Sequence, residues 1–384
     1  MNKIICAEKK CTGCYACANI CPKQCIEMRP KGVLGHVYPH IDISSCINCK
    51  LCERVCQVNS PIKLAQPIKA YAGKHREESA YVSSTSGGAT DALSCFFLQK
   101  GGIVYGCVES SGVKVYHKRI DSLEDVKLIK GSKYAQSDID KAYVLVKDDL
   151  ISGKEVLFFG TPCQVAGLKS FLRKDYDNLY TVDLICHGTP SQEFLRNYVK
   201  KKTKNLGVYV SFRKGNDYLM QIFDNSSKEL YKYNLWKSRY KDLYFNTFID
   251  GYTSRDSCVH CNYASPNRCS DITIGDFWGL SDDLKEEFKN GCSCILPITE
   301  KGDNLISSIN MILYNRSVDE AIKGNDRLRA PKTNKRRCLF DAIAPYMGVH
   351  LAYIICEFDH IFNYRIWRPS KRLLRTQIRN IFHI

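Results

Sequence analysis

Apolar residues recur along this chain in short blocks whose period changes. Over residues 89–99 they follow helical spacing, Gly101 and Gly102 stop the helix, and residues 103–108 predict a strand. The same order returns further on. Residues 155–159 predict a strand closed by Gly160, after which Thr161 suits a helix N-cap and Pro162 the first helical position. Residues 180–185 predict another strand, ending in Cys186, His187, Gly188, Thr189 and Pro190 before a helix capped by Ser191. Such alternation predicts an α/β domain with neighbouring parallel strands. The period then falls to two. Residues 208–213, 219–223 and 229–233 predict short antiparallel strands with turns at Gly215-Asn216 and Asn225-Ser226, residues 236–249 predict a helix, and residues 271–274 a further strand.

The first sixty residues obey neither period. Cys11, Cys14, Cys17 and Cys21, followed by Pro22, and then Cys46, Cys49, Cys52 and Cys56 repeat the spacing C-x2-C-x2-C-x3-C. Thiolates at three-residue intervals cannot share one face of a straight element, but a loop can wrap them around a cubane. The fourth cysteine of each run points to the other cluster. The expected sets are Cys11, Cys14, Cys17 and Cys56 for one 4Fe–4S cluster, and Cys46, Cys49, Cys52 and Cys21 for the second. Disulfides would need an oxidising compartment, and zinc prefers two separated pairs. Gln57 stands where the usual terminator is proline, and Cys6 and Cys25 read as small buried side chains beside the clusters.

This gives a multidomain chain: a two-cluster module over residues 1–60, a linker at 61–67, a mixed α/β domain over 68–335 with an internal division near 150, and a helical basic tail over 336–384. The fold class is thus α+β with α/β. Lys plus Arg number 56 against 40 Asp plus Glu, a net charge of +16, but cubanes with four thiolates are anions and offset part of it. Aromatic residues do not interleave with the cations as in a nucleic-acid module, so no nucleic-acid partner is expected. The asymmetry peaks at Arg365, Arg368, Lys371, Arg372, Arg375 and Arg379, with Leu374, Ile378, Ile381 and Phe382 at helical spacing between them. Either a basic amphipathic helix touches an anionic membrane peripherally, or a terminal helix docks by its apolar face. Residues 347–356 read as too short and too broken to span a bilayer. No signal peptide is read near Ile4 and Ile5, and 21 cysteines then imply a reducing cytoplasm.

Cys163 and Cys186 each end a predicted strand, where ligands collect in an open α/β sheet. Cys258 and Cys261 supply a C-x2-C half-site, so a third 4Fe–4S cluster on these four is one reading; zinc on Cys258, Cys261, Cys269 and His260 is another, and no metal at all a third. Cys292 and Cys294 form another nearby pair without a strand-end position, and Cys95, Cys107, Cys338 and Cys356 read as core. The turn Ser83-Ser84-Thr85-Ser86-Gly87-Gly88 is an anion cradle or an ordinary capped loop. Gly131-Ser132-Lys133-Tyr134 offers an ammonium and a ring to a phosphate-bearing flavin, or is a solvated loop.

Ser84 to Gly88, Gly131 to Tyr134, Gly160-Thr161-Pro162-Cys163-Gln164, Cys186-His187-Gly188, Cys258-x2-Cys261 and Asp271-Ile272-Thr273-Ile274-Gly275-Asp276-Phe277-Trp278-Gly279 together resemble the coenzyme F-420 hydrogenase/dehydrogenase beta-subunit family over residues 68–299. The resemblance implies a noncovalent FAD beside a 4Fe–4S cluster on Cys163, Cys186, Cys258 and Cys261. It assigns Ser84, Ser86, Gly87, Gly88, Gly131, Ser132, Lys133, Tyr134 and Thr161 to the flavin. His187 and Asp276 are the candidates for proton transfer, with loop hydrogen bonding as their plainer role.

The implied function is an iron–sulfur flavoprotein oxidoreductase. Electrons would pass between the cluster pair and a flavin that exchanges hydride with a deazaflavin-like or other organic carrier, or with a redox partner protein. Relatives with a fused ferredoxin module place it in exopolysaccharide biosynthesis settings. The alternative is a noncatalytic electron carrier or adaptor docking another redox enzyme.

Overall fold

The computed structural model describes residues 4–215, 217–237 and 240–364. The N-terminal module holds α1 (Ala16–Ile20), the hairpin β1 (Ile26–Lys31) and β2 (His36–Ile41), and α2 (Leu51–Arg54). Next come β3 (Ala70–His75), α3 (Glu78–Val82), α4 (Ala89–Gln99), β4 (Ile103–Ser110), β5 (Lys114–Ile120), α5 (Val126–Ile129), α6 (Ala142–Ile151), β6 (Val156–Gly160), α7 (Pro162–Leu172), β7 (Leu179–Leu184) and α8 (Gln192–Thr203). A small sheet of β8 (Tyr209–Ser211), β9 (Leu219–Phe223) and β10 (Glu229–Asn234) is followed by α9 (Leu243–Ile249), α10 (Asp256–Val259), β11 (Ile272–Asp276), β12 (Ser293–Pro297), α11 (Glu300–Ile306), β13 (Met311–Arg316) and α12 (Val318–Gly324). The last described elements are α13 (Arg337–Cys356) and α14 (Phe358–Phe362).

Eight strands make the main sheet in the order β13-β3-β12-β11-β7-β6-β4-β5. Strands β4, β6, β7 and β11 run parallel as neighbours, as the alternating pattern predicts, while β5, β12 and β13 pair antiparallel. Period-two alternation sorts their side chains to two cores. Val104, Leu157 and Val182 pack under α4 and α11; Tyr105, Phe158 and Leu179 pack under α6 and α7. Tyr15, Ala16 and Val55 of the N-terminal module join the second core, so the module sits on the α7 face. The small sheet, α8, α9 and α13 enclose a third, aromatic-rich core.

Several boundaries differ from the sequence reading. The main sheet takes strands from both sides of the expected division at 150, and the linker is tied down where Ala65 bridges Arg268. The helix expected over 236–249 is Leu243–Ile249, because Asp242 accepts from the Phe245 amide (2.7 Å) as N-cap and starts it late. The β4–β5 hairpin went unread. The segment expected as a tail from 336 begins as α13, with Phe340, Ala344, Ala352 and Tyr353 inside the aromatic core. By length and composition α13 is long and apolar enough to cross a membrane, contrary to the expectation of a short broken run, although it bends at Gly348 (φ 77°, ψ 157°). The basic residues from Arg365 onward lie outside the described residues.

Candidate iron–sulfur and flavin site

The two cysteine runs curl in the same way for the same reason. Gly13 (φ 64°) and Tyr15 (φ 65°) in the first run, and Asn48 (φ 55°) and Lys50 (φ 59°) at matching positions in the second, adopt left-handed backbone. Two reversals between successive cysteines turn each loop around a centre. One cavity is lined by Cys11, Cys14, Cys17 and Cys56, with Cys6 beside them; a second is lined by Cys46, Cys49, Cys52 and Cys21, with Cys25. The last cysteine of each run therefore crosses to the other run's cavity. Among the described residues no group of three or more His, Cys, Asp or Glu is gathered closely enough to hold a single metal ion. The fit to a larger group rests on the cavities. Hydrogen bonding from Cys6 is the main influence lowering Cys11 to about 7 and Cys56 to about 6, which favours thiolates there.

A third set of thiols meets at the carboxyl ends of β6 and β7. Thr161 and Gln164 form a capping box that starts α7, placing Cys163 in its first turn with its sulfur 3.2 Å from Thr161 Oγ1. Cys186 leaves β7, and left-handed Gly188 (φ 93°) turns the loop against α10: a Cβ at Gly188 would lie 3.6 Å from that of Cys258. Burial is the first cause raising the pKa of Cys163, Cys186, Cys258 and Cys261, and neighbouring thiols of the set add to the rise in the first three. Two buried guanidinium groups stand beside them. Arg255 favours the Cys258 thiolate, and Arg268 favours those of Cys186 and Cys261. Buried cations near grouped thiols suit an anionic cluster. Cys269 lies instead near Asp183, which burial pushes up to about 6, and Cys292 and Cys294 sit in a separate core.

This third set adjoins the Cys11 cavity. The Cys14 side chain packs on α7 at Gly167, where a Cβ would come within 2.8 Å of Cys14 Cβ and 3.0 Å of its sulfur. Gln57 Nε2 donates to the Cys163 carbonyl (2.7 Å), and Tyr263 donates its hydroxyl to Gln57 Oε1. Arg255 donates to Gln136 Oε1 (2.9 and 3.1 Å) and to the Val37 carbonyl (2.8 Å), while Gln136 donates to the Thr12 carbonyl (2.9 Å). Gln57, Gly167, Arg255 and Arg268 are functional neighbours that sequence reasoning missed. Only Gln57 left a signal, by breaking the proline pattern.

The two loops assigned to flavin come together. Lys130, just before Gly131 (φ 82°), donates to Ser83 Oγ (2.9 Å) and pairs with Asp91 (2.9 Å). Gly87 lies so close to β3 and β12 that a Cβ would fall 1.9 Å from the Gly73 carbonyl, and Gly88 (φ 88°) starts α4. Ser84 and Ser86 donate to the carbonyls of Ala80 (2.7 Å) and Cys292 (2.9 Å). The N-terminus of this eleven-residue helix beside two glycine-bearing loops fits a phosphate group. Lys133 is otherwise engaged: its ammonium donates to the carbonyls of Leu128 (3.0 Å) and Lys130 (2.7 Å) at the end of α5. Tyr134 sits among Phe212, Phe245 and Phe248, so its ring faces protein. His187 is exposed at the rim, yet crowding by protein atoms and the nearby Arg327 and Lys332 hold it down at about 4. Asp276 ends β11 in an ion pair with Arg213, which lies over the Tyr218 ring (4.7 Å).

A cysteine-walled two-cavity module seated on a mixed α/β domain defines a protein of the iron–sulfur redox class. Residues 10–60 match the 4Fe-4S dicluster domain family. Residues 153–316 match the family described as the C terminus of the coenzyme F420 hydrogenase/dehydrogenase beta subunit. The chain therefore carries an N-terminal 4Fe–4S ferredoxin domain fused to a beta-subunit-like domain, and at family level its role is redox transfer. Over 76 residues, 20% of this chain and 96% of the relative, it is 34% identical to an uncharacterized ferredoxin of Methanocaldococcus jannaschii. It is also 34% identical over 68 residues, 16% of the chain, to an uncharacterized polyferredoxin-like protein of that organism, and spans only 40% of that relative's length. A chain of the F420-reducing NiFe hydrogenase complex from Methanosarcina barkeri superposes with a TM-score of 0.47 at 16% identity, over 69% of this chain and 91% of that one.

Proposed function

We propose that the chain is an iron–sulfur flavoprotein oxidoreductase of a reducing compartment. The observation that carries this reading is the seating of the Cys11 cavity against α7, the helix that carries Cys163, through Cys14 at Gly167 and the hydrogen bond from Gln57 to the Cys163 carbonyl. Cys11, Cys14, Cys17 and Cys56 would hold one 4Fe–4S cluster, Cys46, Cys49, Cys52 and Cys21 the second, and the four thiols at the ends of β6 and β7 with α10 the third. Residues 83–88 and 131–132, together with Thr161, would seat FAD. When bound, the clusters supply one-electron transfer and the flavin supplies hydride exchange with a deazaflavin-like or other organic carrier.

The chain's own residues do the positioning. Arg255 and Arg268 offset the negative charge of the inner thiol group, and Gln57 and Gly167 keep the two modules in contact. Asp276 is held in an ion pair by Arg213, and burial with the nearby Arg327 and Lys332 disfavours the charged form of His187. Anaerobic purification with iron, sulfide and flavin quantitation tests the reading. Three clusters' worth of iron with FAD released on denaturation is expected. Two clusters' worth without flavin would make the chain a carrier or adaptor that docks another redox enzyme.

A further inference from the structure

Arg255 belongs to two sites at once. As N-cap of α10 its carbonyl accepts from the Cys258 amide (2.9 Å), so its backbone starts the turn that carries an inner thiol. Its side chain leaves that turn and enters the other module. The guanidinium lies over the Tyr38 ring (4.8 Å) and donates to the carbonyls of Val37 (2.8 Å) and Cys11 (3.5 Å). A Cβ on Gly13 would fall 2.6 Å from its Nη2. Gly13, left-handed at φ 64°, thus leaves the opening in the first cysteine loop that admits this cation.

The cation is buried among neutral acceptors. Arg255 is 1% exposed, and among the described residues it donates to oxygens of Gln136, Val37 and Cys11, none of them a carboxylate. The adjacent Asp256 pairs with Arg337 instead (3.1 Å), whereas Arg268, the other buried guanidinium here, has Asp183 beside it (3.4 Å). A buried charge is costly unless an opposite one balances it. The groups of matching sign are the thiolates on its two sides: Arg255 favours that of Cys11 in the first cavity as well as that of Cys258 in the inner set. None of the residues it touches lines the Cys46 cavity. Gln136 fixes the arrangement. Its Oε1 accepts from the guanidinium, its Nε2 donates to the carbonyls of Thr12 (2.9 Å) and Gly13 (3.3 Å), and its backbone amide donates to the Pro190 carbonyl (2.8 Å) in the loop after Cys186.

We propose that Arg255 is a positioning cation shared by two clusters, the one on Cys11, Cys14, Cys17 and Cys56 and the inner one, and that it raises both reduction potentials together while leaving the Cys46 set unmoved. The inference rests on the three-cluster reading and adds what poises its steps. Reduction places one electron, and so one negative charge, on the cluster that receives it, and a fixed cation in a low-dielectric interior favours that charge. Both neighbours gain in the same sense. Transfer between them therefore keeps its driving force, while the flanking steps, to the Cys46 cluster and to the flavin, change theirs.

The test is a redox titration of the anaerobically purified full chain followed by electron paramagnetic resonance, with iron and sulfide counted first. The variant with both Cys258 and Cys261 replaced by serine, lacking the inner cluster, assigns the signals. Arg255→Met should lower the reduction equilibrium constants of two clusters by about tenfold or more, which is about 59 mV for one electron, with the third unmoved, and Arg255→Lys should restore most of the loss. Gln136→Glu keeps the shape and gives the guanidinium a carboxylate of its own, so it should lower the same two; it decides the matter if Arg255→Met does not hold its iron. A wild-type chain with only two clusters' worth of iron would sink the three-cluster reading, and this inference with it, before any potential is measured. Three clusters' worth of iron with every potential unchanged in Arg255→Met, or in Gln136→Glu, would overturn the inference alone. So would a shift of one potential only, which would give the cation to a single cluster, or an equal shift of all three, which would mean a general structural change.

Discussion

Gln57 Nε2 lies 2.7 Å from the carbonyl oxygen of Cys163, joining the residue next to Cys56 in one module to the first turn of α7 in the other. The amide is buried and fully used: it also donates to Thr12 Oγ1 (3.2 Å) and accepts from Tyr263. Replacing it by leucine keeps the volume but strands a carbonyl and two hydroxyls. Gln57→Leu should cost ~1–3 kcal/mol, and Gln57→Pro, which restores the usual ferredoxin residue, should cost at least as much. Anaerobic urea titration gives the loss, and limited proteolysis between residues 57 and 68 should show the module undocking first. If Gln57→Pro proves as stable as the wild type with the linker uncut, the amide is not a tether.

Gly167 makes the second contact between the modules, and its role is to be absent of side chain. Its backbone is ordinary helix, so alanine would be favoured there on propensity alone by up to about 1 kcal/mol. The Cβ would nevertheless meet Cys14 at 2.8 Å and the Tyr143 hydroxyl at 2.9 Å. Overpacking should win: Gly167→Ala is expected to destabilise the docked state by ~1–3 kcal/mol, and Gly167→Val by more. A gain in stability for Gly167→Ala would show that the modules have room to spare at this point.

Cys258 lies in α10 and Cys261 just beyond its end, apart from the eight cysteines of the N-terminal module. Their joint replacement by serine should remove one cluster's worth of iron and leave the spectroscopic signature of the cluster pair in place. Cys269→Ser should leave iron unchanged, because that thiol faces Asp183. Iron lost from Cys269→Ser, and retained in the double variant, would move the inner site to the zinc-type set around Cys269.

What could be read from the chain alone was what short-range spacing encodes. The doubled cysteine run carries its own loop geometry, since the left-handed residues at 13, 15, 48 and 50 fall between cysteines three positions apart. Thr161-Pro162 announced a helix start, and the capping box with Gln164 supplied it. Contacts across more than a hundred residues were silent. Gly167 looks like any helix glycine until Cys14 is placed on it, and Arg255 is one cation among 56 until it is found buried between Gln136 and Val37. Lys133 and Tyr134 show contacts that spacing did not suggest: the ammonium donates to carbonyls at the end of α5, and the ring packs in the aromatic core. The β4–β5 hairpin was hidden because its turn places Val113, a β-branched residue, in left-handed backbone (φ 58°), which no turn rule anticipates.

Glu109 at the end of β4 offers a pH dependence outside the cysteine sites. Burial raises its carboxyl to about 7, against a hydrogen bond from the Val210 amide (2.9 Å) and the nearby Lys133 ammonium, which pull the other way. The folded chain thus binds this proton more tightly than the unfolded chain, where an ordinary glutamate titrates near 4.3. Between about pH 4.3 and 7 the folded state holds more protons, so stability from this group falls as pH rises and levels off above 7. Glu109→Gln keeps an oxygen for Val210 and cannot ionise. The variant should match the wild type near pH 4.5 and exceed it by on the order of 1–3 kcal/mol at pH 8, measured by denaturant unfolding at both pH values. A variant less stable than the wild type at pH 8 would mean that the ionised carboxylate is held by Lys133 strongly enough to outweigh its burial.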